Sequence, residues 1–156
     1  MINYYKLNKE HNSFIKKLIN KEGVNYKDFL NMGWSETQII NQLCKNTNLS
    51  FGAFNNESLV SFILGDLFNV EKKSEYEILL LYVCKHFRQK GLGTKLLNII
   101  KENNNCLKKI YLEVSKNNSE GIAFYTKMKF KIIYTRKNYF LFDNIKTDAL
   151  VMSKTY

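Results

Sequence analysis

The chain has 156 residues, 45% of them hydrophobic, with 24 lysines and arginines against 14 acidic residues and a formal charge of +10. That length suits one domain over residues 1–156 with a sizeable core, and no stretch reaches the ~20 consecutive apolar residues of a membrane helix. Cys44, Cys84 and Cys106 lack C-x-x-C spacing, and His11 and His86 complete no zinc set, so neither a disulfide framework nor a metal is expected. The aromatic, polar start MINYYKLNKEHNSF is unlike a secretory signal, and a cytoplasmic protein without membrane association is expected. The charge is mostly lysine, spread along the chain among abundant asparagine and isoleucine. It reads as composition bias, since basic residues cluster in a nucleic-acid surface.

In chain order, NYYKL reads as a first strand. HNSFIKKLINKEG and SETQIINQLCK have apolar residues at helical spacing, with Ser35 and Gln38 in a capping-box pattern. LSFGAFNNESLVSFILGDLF reads as a hairpin turning at Asn55 and Asn56, and YEILLLYV as an apolar strand. A helix with Leu92, Leu96, Leu97, Ile99 and Ile100 on one face follows. Next comes the strand KKIYLEV, which alternates Ile110, Leu112 and Val114 with Tyr111 and Glu113. SEGIAFYTKMK reads as a helix, and FKIIYTRKNYF and DALVMSK as closing strands. The order β-α-α-β-β-β-α-β-α-β-β predicts an α/β fold, a mixed sheet with helices on both faces.

RQKGLGTKLL joins an apolar strand to an amphipathic helix through Gly91 and Gly93. A P-loop would need glycines five apart, and the dinucleotide fingerprint a third glycine where Leu96 stands. What remains, R-x-x-G-x-G from Arg88 to Gly93, can cradle a pyrophosphate on the free N–H groups of the helix's first turn. Arg88, Lys90 and Lys95 add positive charge there.

This loop resembles the acetyl-CoA loop of the GCN5-related N-acetyltransferases, [QR]-x-x-G-x-[GA]. WSE from Trp34, LEVSKNNSEGIAFYTKMKF, RKNYF and DALVM are similar, in order, to segments of the bacterial RimI-type ribosomal-protein-alanine N-acetyltransferases, from about residue 3 to residue 153. The resemblance implies the GNAT fold and direct transfer of acetyl from acetyl-CoA to an amine. On it, the main chain of Leu81, Tyr82 and Val83 pairs with the pantetheine arm, and Arg88, Gln89, Lys90, Gly91, Leu92, Gly93 and Thr94 cradle the pyrophosphate. Asn118 contacts CoA, or caps a helix. Glu113 corresponds to the proton acceptor and Tyr125 to the donor for the leaving thiolate, the phenol's ~10 lying near the thiol's ~8.5. Trp34, Glu36, Tyr82 and Tyr139 line the peptide slot.

The implied acceptor is a protein N-terminus, the alanine start of the small-subunit ribosomal protein numbered eighteen, with Glu36 and Glu113 giving local acidity for a basic partner. A small-amine acetyltransferase for polyamines or aminoglycosides, or a non-catalytic acyl-CoA-binding module, fits the same fold. Two positions depart from the family pattern. Lys129 replaces a C-cap glycine, at about 1 kcal/mol, and Thr94 stands where arginine is frequent.

Overall fold

In chain order the computed structural model, which describes residues 1–156, runs β1 (Ile2–Leu7), α1 (Asn12–Leu18), α2 (Tyr26–Met32), α3 (Glu36–Leu43), β2 (Ser50–Asn55), β3 (Ser58–Val70), β4 (Lys73–Val83), α4 (Leu92–Glu102), β5 (Leu107–Ser115), α5 (Ser119–Lys127), β6 (Lys131–Phe142) and β7 (Ile145–Thr155). The strands form one mixed sheet in the order β1-β2-β3-β4-β5-β7-β6. β4 and β5 are parallel, as a strand-helix-strand crossover requires, and the outer pairs are antiparallel. The mixed α/β architecture is therefore the one the sequence predicts. No helix is long and apolar enough to cross a membrane.

The chain falls into two units, Met1–Leu67 with Leu79–Asn105, and Phe68–Ile78 with Cys106–Tyr156. In the first, α3 starts as its sequence dictates. Ser35 Oγ accepts the Gln38 N–H at 3.2 Å and Gln38 Oε1 accepts the Ser35 N–H at 2.8 Å. Leu92, Leu96, Leu97, Ile99 and Ile100 of α4 are all buried, the face their spacing marks. Ile15, Phe29, Ile39, Phe62 and Leu64 anchor the core of this unit. In the second unit Ile110, Leu112 and Val114 of β5 are buried while Tyr111 and Glu113 stand on its half-exposed face, the alternation of a strand.

Four features differ from the sequence reading. Helix α2 is additional: its seven residues are too short a window for the spacing of Tyr26, Phe29 and Leu30 to declare a period, and only Phe29 is buried. Its end is nonetheless a glycine signal. Gly33 adopts φ 73°, and the Gly33 and Trp34 N–H groups bond the carbonyls of Leu30 and Phe29. The first helix stops at Leu18, well short of Gly23. The hairpin turn is Asn56-Glu57, since Asn55 pairs with Ser58 and Asn56 takes the positive φ of 53°. A second tight turn at Asp143-Asn144, φ 47° and 61°, lengthens β6 and β7 until Phe142 faces Ile145.

Candidate active site

In the first unit, β4 delivers Leu81, Tyr82 and Val83 directly ahead of the glycine loop. Burial alternates here too, and the Tyr82 ring lies in the core, 3% exposed, against Phe29 and Phe62 with ring centroids 4.4 and 6.1 Å away. What Tyr82 offers a ligand is thus main chain. Its carbonyl accepts the Ser61 hydroxyl at 2.7 Å, and the Val83 carbonyl accepts Arg88 Nε at 3.0 Å.

The loop then takes up two left-handed residues, Gln89 at φ 59° and Gly91 at φ 78°. Gly91 is the N-cap of α4 and, lacking a side chain, makes no side-chain cap hydrogen bond. A Cβ at Gly91 would meet nothing within 4 Å, leaving the approach to the backbone open. With the helix dipole behind it, an open first turn of this kind is suited to an anion. The cations around it have partners of their own. Arg88 pairs with Asp28 at 2.7 Å, Lys90 Nζ lies 5.2 Å from the centroid of the Phe87 ring, and Lys95 pairs with Glu102 at 3.6 Å.

The remaining slot residues of the first unit are Trp34, half-buried against its core, and Glu36, the half-buried first residue of α3, where a carboxylate favours the helix N-terminus.

In the second unit the structure brings Glu113, Arg136 and Tyr139 together. Glu113 projects from β5 with its side chain 20% exposed, and Arg136 Nε of β6 donates to Glu113 Oε1 at 2.8 Å. The Tyr139 hydroxyl hydrogen-bonds the same carboxylate, which with the charges of Glu113 and Glu77 holds the phenol above its usual pKa, against the opposing pull of Arg136. The guanidinium also lies 5.2 Å from the centroid of the Tyr139 ring. Two strands thereby fix one carboxylate. Arg136 has no assigned role in the sequence reading, because its partner lies 23 positions away on another strand; its place three residues before Tyr139 in RKNYF was the available signal.

Tyr125 sits on α5, whose N-cap is Asn118, with Oδ1 accepting the Gly121 N–H at 2.9 Å. The Tyr125 side chain is 8% exposed, between Phe124 and Phe130, with ring centroids 5.1 and 5.4 Å away. Burial alone pushes its phenol well above the ordinary range. A Schellman motif locks the position: the Phe130 N–H bonds the Tyr125 carbonyl and the Lys129 N–H bonds the Thr126 carbonyl, both at 2.9 Å. Lys129 pays for this with φ 71°, the conformation glycine adopts without strain. Lys129→Gly is expected to stabilise the fold by about 1 kcal/mol, raising the thermal midpoint by about 2–4 °C. Thermal unfolding by circular dichroism checks it, and an unchanged or lower midpoint would mean that the turn carries no strain.

The family profile described as the Acetyltransferase (GNAT) family matches residues 16–130. The chain belongs to the GNAT family. Among curated GNAT relatives, N-alpha-acetyltransferase 50 of Danio rerio is 32% identical over 91 residues, 56% of this chain and 54% of that protein. The match thus spans about half the length of that relative. Arabidopsis thaliana Naa50, solved with the bisubstrate analogue CoA-Ac-MVNAL, is 26% identical over 99% of both chains with a TM-score of 0.71. The ribosomal-protein-S18-alanine N-acetyltransferase of Escherichia coli shares the GNAT fold at 20% identity, TM-score 0.77, over 99% of this chain and 94% of that one.

Proposed function

We propose that this GNAT protein transfers acetyl from acetyl-CoA to the α-amine of a protein N-terminus, with Glu113 as proton acceptor and Tyr125 as hydrogen-bond donor to the departing sulfur. The observation that carries the reading is the full-length relation to Naa50 bound to an analogue joining CoA to the peptide MVNAL. Supporting it, Glu113 is aimed by Arg136 and Tyr139, while Tyr125 keeps a protonated phenol in a packed position.

The α-amine, with a pKa of about 7.7–8.0, is partly neutral near pH 7.5. Its lone pair attacks the thioester carbonyl, forming the C–N bond and placing charge on the carbonyl oxygen. One N–H proton passes to Glu113, directly or through a water. The C–S bond then breaks, the electron pair leaves on sulfur, and Tyr125 stabilises that charge. The carbonyl re-forms, giving the N-acetyl peptide and the CoA thiolate, which becomes the CoA thiol by taking up, through solvent, the proton that Glu113 received. The pyrophosphate rests on the N–H groups that open α4. Main chain at Leu81, Tyr82 and Val83 meets the pantetheine arm, Asn118 touches CoA, and Trp34, Glu36 and Tyr139 recognise the acceptor peptide.

Within this class, the finer assignment is the alanine start of the small-subunit ribosomal protein numbered eighteen, on the strength of the WSE, LEV and DALVM segments. Competition between peptides beginning with that alanine sequence and with Met-Val tests it by mass spectrometry. The account expects the alanine peptide to be modified at least about tenfold faster, roughly a 1.4 kcal/mol preference. Faster modification of the Met-Val peptide would assign the Naa50-like specificity instead, and turnover of polyamines or aminoglycosides alone would overturn the whole reading.

A further inference from the structure

Arg88 opens the R-x-x-G-x-G stretch, where its charge suggests a direct phosphate contact. The structure gives it other work. Its Nη2 donates to Asp28 Oδ2 at 2.7 Å and its Nε to the Val83 carbonyl at 3.0 Å. Asp28 lies on α2, sixty positions earlier, and its Oδ2 also accepts the Tyr82 hydroxyl at 2.9 Å. The same hydroxyl lies 3.0 Å from Asn25 Oδ1 at the N-cap of α2. One carboxylate therefore joins α2, the end of β4 and the first residue of the loop.

The residue after Arg88 shows why such an anchor matters. Gln89 holds φ 59°, a conformation that persists in a side-chain-bearing residue only when its surroundings impose it. Arg88, tied on one side to Asp28 and on the other to a strand carbonyl, supplies that constraint immediately upstream of the main-chain N–H groups that open α4.

We infer that Asp28 is a positioning residue for the loop and that Arg88 is its clamp: the pyrophosphate of acetyl-CoA is received by a preset backbone, without a charge contact from Arg88. The inference rests on reading the loop as the acetyl-CoA seat. The two roles for Arg88 make opposite predictions for Asp28. If Arg88 were a phosphate ligand held in reserve, removing the Asp28 charge would free it and tighten binding. As a clamp, its loss of Asp28 loosens the loop and weakens binding.

Calorimetric titration of the full chain with acetyl-CoA decides the sign. Asp28→Asn and Arg88→Gln should each weaken binding about tenfold, the scale of one charge-assisted hydrogen bond. The double variant should be no worse than Arg88→Gln, well short of the sum of the two losses, because both changes break the same link. Asp28→Glu, which keeps the charge, should bind within about threefold of the unchanged protein, separating a held arginine from a merely destabilised fold. Arg88→Gln should also leave the salt dependence of binding unaltered, whereas loss of a phosphate contact would flatten it. Tighter or unchanged binding in Asp28→Asn overturns the clamp. Gly91→Val separates the two readings: normal acetyl-CoA binding in that variant sinks the loop assignment and the clamp together. Weakened binding there with an unaffected Asp28→Asn sinks the clamp alone.

Discussion

Replacing Glu113 by Gln is expected to lower kcat for N-terminal acetylation by about 10²–10⁴-fold, the range over which a positioned general base acts. The amide keeps the shape of the side chain and an oxygen for Arg136 Nε, which donates to Glu113 Oε1 at 2.8 Å in the unchanged protein. What it removes is the charge and the ability to take a proton. Affinity for acetyl-CoA should stay within about twofold, because the proposed anion seat is main chain at the start of α4 and does not include Glu113. The deficit should narrow above the amine's own pKa of about 7.7–8.0, where the acceptor is already neutral and hydroxide can accept the later proton. Steady-state kinetics between pH 6.5 and 9.5 check both parts. A kcat within twofold of the unchanged enzyme would remove Glu113 from the chemistry.

Tyr125→Phe should cost less, about 10–10²-fold in kcat. Proton transfer from a phenol at its ordinary ~10 to a thiolate whose conjugate acid has a pKa of ~8.5 is uphill by ~2 kcal/mol. Burial pushes the Tyr125 phenol up, which widens the gap between the two pKa values, and the proposed mechanism therefore has Tyr125 donate a hydrogen bond rather than its proton. In the proposed mechanism this hydrogen bond goes to the charge growing on sulfur, an interaction worth roughly 1.5–3 kcal/mol. Phe keeps the packing against Phe124 and Phe130, so the thermal midpoint should hold while kcat falls. Equal losses in both would mark Tyr125 as packing.

The same burial has a pH signature. The folded state favours the neutral phenol, so Tyr125 contributes stability that is complete below the unfolded value of ~10 and lost as pH rises through the higher folded value. Tyr82, raised by burial and by its bond to Asp28, acts in the same sense. Thermal midpoints should therefore decline above pH 10, and less steeply in Tyr125→Phe.

Periodicity carried most of the fold into the sequence. Strand β5 could be read from Ile110, Leu112 and Val114 because a half-buried strand writes its burial every second residue, and α4 from its leucines and isoleucines for the equivalent helical reason. Helix α2 could not, because seven residues are too few for the spacing of Tyr26, Phe29 and Leu30 to stand out as a period. Asn118 and the Ser35–Gln38 box show that local hydrogen bonds are equally legible, since both partners lie within three residues. The links that aim the site are different in kind. Arg136 to Glu113 and Arg88 to Asp28 join positions 23 and 60 residues apart, and only the register of the strands and the placement of α2 create them. The resemblance located Glu113 and Tyr125, but nothing in their immediate neighbours announced how each is held.

The most direct test of the account is where the acetyl group lands. Purified protein with acetyl-CoA should be given a peptide that bears a free α-amine and an internal lysine, and the same peptide with its α-amine blocked, and the products sequenced by tandem mass spectrometry. The account predicts a single acetyl group on the α-amine of the first peptide and none on the second. Acetylation of the lysine side chain in both, or of neither peptide while a polyamine is consumed, would contradict it.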